Sequence, residues 1–334
     1  MILSLFVLIN FISGIFFIKL FKKIAIKYNI IDNPSSNIKL HTKPTPYLGG
    51  VAFILNSILV YLVYRFVTGG LTSVETTELI VLLLSLVIML MGVIDDIKKI
   101  RPSEKIIIQS IVILILLFFD IRLKIIYFPP VINYILTYIW ILGITNAFNL
   151  IDVMDGLCGG TAAIAAFFLF FTSQSSTVFL IFLSISLVAF LIYNFPPAKI
   201  FMGDAGSLTI GFVLSVYSVI GSYGHNNRLA LISPILILWL PIYETILVSL
   251  LRIKKGKSPF MGSKDHFAFR LKALGFPTLA ILLISYFLNI IMGETAFLAA
   301  YMDLNSAVFV YFLLILFFVI TFHLLSLINV DKKL

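Results

Sequence analysis

The sequence predicts an all-α, polytopic membrane protein, and three observations support this fold class. Of the 334 residues, 61% are hydrophobic and 12% are charged, whereas soluble domains have about 45–50% apolar and about 25% charged residues. The mean hydropathy is +1.12. Apolar runs of about 20 residues, the length that crosses a bilayer, follow one another along the chain with only short loops between them. We therefore expect one continuous membrane domain over residues 1–334.

Eleven apolar runs form the predicted spans. Charged or Pro/Gly-rich segments separate them, as expected for membrane helices joined by short loops. None shows the period-two alternation of a transmembrane β-strand. The predicted boundaries, in chain order, are 2–21, 47–68, 78–94, 106–120, 131–148, 157–173, 177–194, 207–223, 229–251, 277–293 and 306–328.

The basic residues predict the orientation of these spans. Alternate threading from an external N-terminus places 20 of the 24 Lys and Arg residues on the inner side. Cytoplasmic loops carry such an excess. We therefore expect the N-terminus outside, the C-terminus in the cytoplasm and a multi-pass location in the cell inner (cytoplasmic) membrane. The net charge of +9 suits anionic lipid at the inner leaflet, and no nucleic-acid-binding module is recognisable.

Polar residues cluster at span ends on the predicted cytoplasmic face. They occur in the segments GVIDDIKK, NAFNLIDVMDGL, YNFPPAKIFMGDAGS and SPFMGSKDHFAFRL. The first three segments supply five carboxylates: Asp95, Asp96, Asp152, Asp155 and Asp204. A carboxylate near hydrocarbon is costly unless it is paired or bound to a metal.

Each of these residues also has an ordinary interpretation. Asp95 and Asp96 could form exposed ion pairs with Lys98 or Lys99, and Asp204 could cap the helix that follows it. Taken together, however, several carboxylates beside Lys, Arg and His suit a divalent cation and a phosphate-rich ligand. Mg²⁺ prefers oxygen ligands and commonly uses one or two protein carboxylates plus substrate phosphates.

The order of the motifs resembles that of the polyprenyl-phosphate N-acetylhexosamine-1-phosphate transferases (glycosyltransferase family 4), a sister branch of the phospho-MurNAc-pentapeptide translocases. The resemblance runs from KLHTKPTPYLGG to KDHFAFRL. It implies a Mg²⁺-dependent transferase, with Mn²⁺ as an alternative. In this family a polyprenyl phosphate attacks the β-phosphorus of a UDP-amino-sugar and UMP leaves. The product begins a cell-envelope glycan such as lipopolysaccharide or teichoic acid. The oligomeric state, monomer or homodimer, stays open.

The resemblance also implies roles for individual residues. Asp95 and Asp96 match an acidic pair that handles the lipid phosphate, and His266 matches the first histidine of an HxHH motif, so all three are implied to be catalytic. Asp204 matches the metal-binding Asp of the family. The remaining matches are to substrate-binding positions: Lys39, His41, Lys43, Asn149, Asp152, Asp155, Asn194, Phe201, Lys264 and Arg270.

Two departures from the family pattern concern substrate recognition. Val153 and Met154 stand where many members read NLIDGLDGL, beside the uracil contacts implied for Asp155 and Phe201. The HxHH motif reads HFAF in this chain, so two histidines are missing. The identity of the amino sugar is therefore open. The added phenylalanines suit a loop that dips toward lipid.

Two alternatives remain at this stage. A pentapeptide translocase would have ten spans and a fuller histidine motif. A transporter or flippase of a lipid-linked or anionic solute would have polar residues near the bilayer midplane, often in inverted repeats. The carboxylates here gather at one face instead, and only a transferase would release UMP.

Overall fold

The computed structural model describes residues 1–33, 44–70, 74–173, 175, 177–223, 228–256, 258, 264–299, 301–328 and 330. Within these ranges the chain is almost entirely helical, which confirms the predicted all-α class. The helices are α1 (Ile2–Lys27), α2 (Gly49–Gly69), α3 (Thr76–Lys98), α4 (Pro102–Phe118), α5 (Pro130–Ile151), α6 (Leu157–Thr172), α7 (Phe179–Asn194), α8 (Gly203–Ile220), α9 (Ser233–Ile237), α10 (Trp239–Lys254), α11 (Phe267–Ala273), α12 (Thr278–Ala299) and α13 (Leu304–Ser326).

One 3-10 helix and two short strands complete the described structure. A 3-10 helix, Arg228–Ile232, precedes α9. The strands β1 (Ile31–Asp32) and β2 (Thr45–Pro46) form an antiparallel pair in which Ile31 lies opposite Pro46. This pair was not predicted, because two-residue strands leave no periodic signal in a sequence.

Seven helices among the described residues are long and apolar enough to cross a membrane: α1, α2, α3, α5, α8, α12 and α13. A bent pair of helices raises the number to eight. Every predicted span overlaps a helix, but α4, α6 and α7 have only 16 or 17 residues. Their rise of about 25 Å is shorter than a hydrocarbon core of about 30 Å. The count of eleven and the orientation therefore stay predictions.

The ninth predicted span, 229–251, is not one continuous helix. Leu229–Ile237 and Trp239–Lys254 meet at an angle of 72°. Pro241 explains the break, because it has no N–H to donate to the carbonyl of Ile237 and its ring crowds that carbonyl. Whether this bent pair forms the single predicted span therefore stays a prediction, and α10 leaves the bend in a new direction.

Helix α8 forms the centre of the bundle and packs against α2, α3, α5 and α6. Glycines allow its first turn to approach two neighbours very closely. A Cβ added at Gly50 would lie 2.3 Å from the Cα of Gly206, and one added at Gly92 would lie 2.4 Å from the Cα of Ala205. Small residues permit such backbone contact between membrane helices. The contact brings the end of α3 to the start of α8.

Candidate active site

Lys105 joins two carboxylates that belong to different helices. Asp95 lies in the last turn of α3, Lys105 in the first turn of α4 and Asp204 in the first turn of α8. Lys105 Nζ is 2.5 Å from Asp95 Oδ2 and 2.6 Å from Asp204 Oδ2. Asp95 Oδ1 also accepts the N–H of Ile100 at 2.9 Å. The two carboxylates thus converge on one cationic group, which offsets the repulsion between them.

Asp96 caps α8 from a neighbouring helix. Its Oδ1 accepts the N–H of Asp204 at 2.8 Å, and its Oδ2 accepts the N–H of Ala205 at 3.3 Å. Such N-terminal amides have no partner within their own helix and carry the positive end of its dipole. Gly203 has a φ of +72°, and a Cβ there would lie 2.4 Å from Asp96 Oδ2. Position 203 therefore requires glycine for both conformation and space.

These contacts replace the ordinary interpretations considered for the acidic residues. Asp95 pairs with Lys105, whereas Lys98 and Lys99 are exposed and form no ion pair with it among the described residues. The side chain that caps α8 comes from Asp96, so the carboxylate of Asp204 faces other partners.

Asn149 adds an amide group to the same cluster. Its Nδ2 donates to Asp204 Oδ1 at 3.1 Å and to Ser207 Oγ at 3.0 Å. Rotation of this amide group by about 180° would exchange its nitrogen for its oxygen, which would then face Asp204. The cluster already surrounds the ammonium group of Lys105. Its carboxylate and amide oxygens are of the kind that Mg²⁺ prefers as ligands.

A divalent cation in this cluster would need ligands besides carboxylates. In the described part of the chain, no three Asp, Glu, His or Cys side chains form a metal site by themselves. Asn149, water or substrate phosphate would therefore complete the shell around Asp204 and Asp95. That composition is typical of Mg²⁺, which usually keeps several waters and binds one or two carboxylates.

Asp152 adds negative charge near Asp204. It directly follows the last residue of α5, outside the spanning segment. Its pKa is raised to about 7, because surrounding protein hinders its hydration and because Asp204 and Asp155 repel its charge. A bound cation would oppose this effect by favouring the charged form.

Hydrogen bonds tie the loop after α5 to the loop after α7. Asp155 Oδ2 accepts the N–H of Ala198 at 2.9 Å. Asn194 Oδ1 accepts the N–H of Gly156 at 2.9 Å, and its Nδ2 donates to the carbonyl of Ile200 at 2.9 Å. Asn194 is buried and Asp155 is half-buried. The substrate contacts that the resemblance implies for these two residues stay predictions.

Phe201 lies just before α8, beside the segment that leads into α2. Its N–H donates to the carbonyl of Pro46 at 2.8 Å, and its carbonyl accepts the N–H of Gly49 at 3.0 Å. The rings of Phe201 and Tyr47 are 6.1 Å apart with an interplanar angle of 51°. Because Phe201 is only half-buried, stacking of a base on its ring stays a prediction that this position permits.

His266 pairs with a carboxylate that lies outside every predicted motif. Its Nδ1 is 2.7 Å from Oε1 of Glu244 in α10. The N–H of Phe267 also donates to the two oxygens of Glu244, at 3.3 and 3.1 Å. Glu244 is 0% exposed and His266 is 4% exposed. Glu244 therefore caps α11 and holds the imidazole of His266.

The residues that replace the HxHH pattern point inward. Phe267, Ala268 and Phe269 are all buried, and the Phe269 ring lies edge-on to His266 with centroids 5.8 Å apart. The expectation that the two phenylalanines dip toward lipid is therefore wrong. They belong to α11, which packs against α10 and α12 and buries its apolar side chains there.

Arg270 takes part in an internal network. Its Nε donates to the carbonyl of Asp265 at 2.9 Å, and its Nη2 lies 3.1 Å from Asp265 Oδ1. Its Nη1 donates to the carbonyls of Leu325 and Ile328 at 2.9 and 2.6 Å. Arg270 therefore ties α11 to the C-terminal end of α13, and the substrate contact implied for it stays a prediction.

Four predicted site residues remain, and three of them lie outside the described part of the chain. Lys39, His41 and Lys43 lie outside the described residues. Lys264 is half-buried at the start of the segment that leads to α11. The phosphate contacts implied for them stay predictions.

Two residues of this region, Lys105 and Glu244, were not among the predicted site residues. A signal existed for Glu244, because an ionisable residue inside an apolar run is a functional-site hypothesis by default. Lys105 was counted only as one of the basic residues of its loop. Its pairing with Asp204 joins residues 99 positions apart, which no local pattern could indicate.

Comparisons with known proteins agree with these features. Residues 78–222 match glycosyl transferase family 4. The chain is 32% identical, over 93% of its length and 89% of the relative, to a probable undecaprenyl-phosphate N-acetylglucosaminyl 1-phosphate transferase of Bacillus subtilis. It is 27% identical, over 72% of each chain, to an undecaprenyl-phosphate alpha-N-acetylglucosaminyl 1-phosphate transferase of Thermotoga maritima. A phospho-N-acetylmuramoyl-pentapeptide-transferase of Dictyoglomus thermophilum is 31% identical over 58% of this chain and 64% of the relative.

Proposed function

Because the chain belongs to glycosyl transferase family 4, we propose that it transfers N-acetylglucosamine 1-phosphate from UDP-N-acetylglucosamine to a polyprenyl phosphate. The structural observation that carries this proposal is the convergence of Asp95 and Asp204 on the ammonium group of Lys105. Three helix ends thereby concentrate ionic groups at one place, as a reaction between two phosphate-bearing substrates requires.

The reaction joins two anionic groups. An oxygen of the lipid phosphate forms a bond to the β-phosphorus of the nucleotide sugar. The bond from that phosphorus to the oxygen bridging to the α-phosphorus breaks, and UMP leaves with the electron pair. Since little covalent chemistry is left to the protein, positioning and charge neutralisation account for most of the catalysis.

The residues of the cluster divide these tasks. Lys105 supplies positive charge that can turn from its carboxylate partners to a phosphate oxygen. Asp95 is the better candidate to accept a proton from the lipid phosphate, because its Oδ2 faces the ammonium group of Lys105, which can turn away, whereas both oxygens of Asp96 accept backbone N–H groups of α8. Asp96 instead fixes the first turn of α8, and with it Asp204.

We also propose that Mg²⁺, or Mn²⁺ in its place, binds in this cluster. Asp204 would be its principal ligand, with Asp95 and Asn149 as further oxygen donors. When bound, the cation would act as a Lewis acid on the diphosphate of the nucleotide sugar.

The proposed topology in the membrane rests on the distribution of the basic residues. We propose that eleven spans thread the inner (cytoplasmic) membrane with the N-terminus outside and the cluster at the cytoplasmic face. A lipid-soluble acceptor would then reach the site from the bilayer, and a water-soluble nucleotide sugar from the cytoplasm.

UMP release tests this function directly. The purified protein in detergent is incubated with Mg²⁺, a polyprenyl phosphate and one UDP-sugar from a panel that includes UDP-GlcNAc, UDP-GalNAc and UDP-MurNAc-pentapeptide. We expect UMP only when the lipid is present, with UDP-GlcNAc as the best donor. Preference for UDP-MurNAc-pentapeptide would instead identify a translocase, and absence of UMP with every donor would leave a transporter or flippase.

A further inference from the structure

Glu244 is a buried carboxylate within an apolar helix. It lies in α10, after the bend at Leu238, and is 0% exposed. A buried carboxylate is costly unless its oxygens are hydrogen-bonded. Among the described residues, Glu244 meets this requirement at the start of α11, where its partners are the ring of His266 and the N–H of Phe267.

The hydrogen bond to Glu244 determines the chemical state of the His266 ring. An ionised carboxylate can only accept, so the hydrogen in the bond of 2.7 Å must be carried by Nδ1 of His266. Nε2 is then the ring nitrogen with the free lone pair. No hydrogen bond from Nε2 to another described residue is found. Nε2 is thus the ring nitrogen at which a further partner could be bound.

We propose that Glu244 is the positioning residue for His266, holding the imidazole with its proton on Nδ1 so that Nε2 serves a phosphate oxygen of the substrates. This inference rests on the proposed function. Nε2 can accept a hydrogen bond from the lipid phosphate, whose proton goes to Asp95, and in the imidazolium form the ring can donate a hydrogen bond to the diphosphate. The carboxylate of Glu244 stabilises that cation, in the way that a carboxylate orients and supports a functional histidine.

A purely structural role would require Glu244 only to accept a hydrogen bond. Capping α11 needs only an acceptor for the N–H of Phe267, and the amide oxygen of glutamine would supply one. Orienting His266 needs a group that accepts from Nδ1 and carries negative charge. The variant Glu244→Gln therefore separates the two roles, because it keeps an acceptor oxygen but removes the negative charge.

Nitrogen-15 NMR of histidine-labelled protein tests the state of the ring. The chain has four histidines, so the spectrum of His266→Gln identifies the signals of His266. We expect Nδ1 to carry a proton in the wild-type protein, and we expect the doubly protonated ring to be less populated in Glu244→Gln at the same pH, because the variant lacks the negative charge. A wild-type ring without a proton on Nδ1, which needs no variant to detect, would overturn the proposal. So would a ring state that Glu244→Gln leaves unchanged.

A double-mutant cycle tests whether Glu244 acts through His266. We expect Glu244→Gln to lower the rate of UMP release about 10- to 100-fold, the cost typical of losing the partner of a functional histidine. In a His266→Ala background the same change should have no further effect. Losses that multiply in the double variant would assign Glu244 to structure alone.

A control variant and the wild-type rate distinguish a failure of the role proposed for Glu244 from a failure of the proposed function. Glu78 also accepts hydrogen bonds near a helix N-terminus, from Tyr61 and the N–H of Glu75, at the opposite end of α3. Glu78→Gln should leave the rate within about twofold of wild type. An active wild type with multiplying losses would overturn only the role of Glu244, whereas an inactive wild type would overturn the proposed function.

Discussion

The carboxylate of Asp96 accepts a hydrogen bond of 2.8 Å from the backbone N–H of Asp204, so the last turn of α3 caps the first turn of α8. This single contact aligns two parts of the candidate active site that are 108 residues apart. Because the backbone of Asp204 is held in this way, its side chain is free to meet Lys105 and Asn149. Polar groups fixed before the substrates arrive need no rearrangement during the reaction.

The first prediction concerns this cap. Asp96→Ala removes both acceptors from the start of α8 and should destabilise the protein by about 1–2 kcal/mol, the upper range for loss of a helix cap. Asp96→Asn keeps one acceptor oxygen and should lose less. Thermal unfolding in detergent measures both, and equal midpoints for the two variants and the wild type would show that the cap contributes nothing.

The second prediction concerns the lysine between the carboxylates. Lys105→Met leaves Asp95 and Asp204 facing each other without a counter-charge, so we expect a lower unfolding midpoint in the absence of divalent cations. The expected cost is about 1–3 kcal/mol, as for other polar groups left unpaired. Added Mg²⁺ should then raise the midpoint of the variant more than that of the wild type, because the cation replaces the lost charge. The rate of UMP release should fall about 100-fold or more.

Lys99→Met is the matched control for this experiment. Lys99 lies close in sequence to Asp95, but it is exposed and forms no ion pair with Asp95. It should therefore change neither the midpoint nor its response to Mg²⁺. A Lys99 variant that behaves like the Lys105 variant would indicate a general charge effect rather than the specific bridge.

The overall fold was largely predictable, because it follows from composition and from the length of apolar runs. Every predicted span overlaps a helix, since an apolar run of that length has few other stable forms in a membrane. The bend at Leu238 was missed because hydropathy averages over a window and so passes over Pro241. The bounds of α6 and α7 were predicted closely, since the predicted spans 157–173 and 177–194 exceed these helices by only one and two residues.

The candidate site was predictable in its charges but not in its contacts. Asp95, Asp96 and Asp204 stood out because carboxylates are rare at the ends of apolar spans. Their partners could not be predicted, since Lys105 reaches Asp204 only through the packing of α4 and α8 beside α3. The pairing of His266 with Glu244 likewise depends on the direction that α10 takes after its bend.

The third prediction concerns topology. If the basic residues set the orientation, a reporter fused after Lys333 should be active in the cytoplasm, and an N-terminal tag should be accessible from outside. The two reporters should thus lie on opposite sides, as an odd number of spans requires. Reporters on the same side would contradict eleven spans, and a C-terminal reporter outside the cell would contradict the orientation.

The fourth prediction concerns the contact between α3 and α8. Gly92→Ala would place a Cβ 2.4 Å from the Cα of Ala205, where only movement of a whole helix can make room. We expect a loss of about 1–3 kcal/mol, the usual cost of overpacking, together with a lower rate because Asp95 and Asp96 would shift. Gly143→Ala is the matched control in α5, since a Cβ there meets nothing within 4 Å. The control should be neutral or slightly stabilising, because alanine favours a helix more than glycine does.

The last prediction concerns the metal. Asp204→Asn exchanges a carboxylate for a neutral amide, which is a poor ligand for Mg²⁺, so the variant should fold but lose most of its UMP release. A second readout does not depend on turnover: Mg²⁺ should raise the unfolding midpoint of the wild type and have little effect on Asp204→Asn. Asp120→Asn serves as the control, because Asp120 is exposed and pairs with Arg122 and Lys124 away from this cluster. It should keep both the rate and the response to Mg²⁺. A normal response of Asp204→Asn to Mg²⁺ would instead move the cation to Asp95, the other carboxylate that meets Lys105.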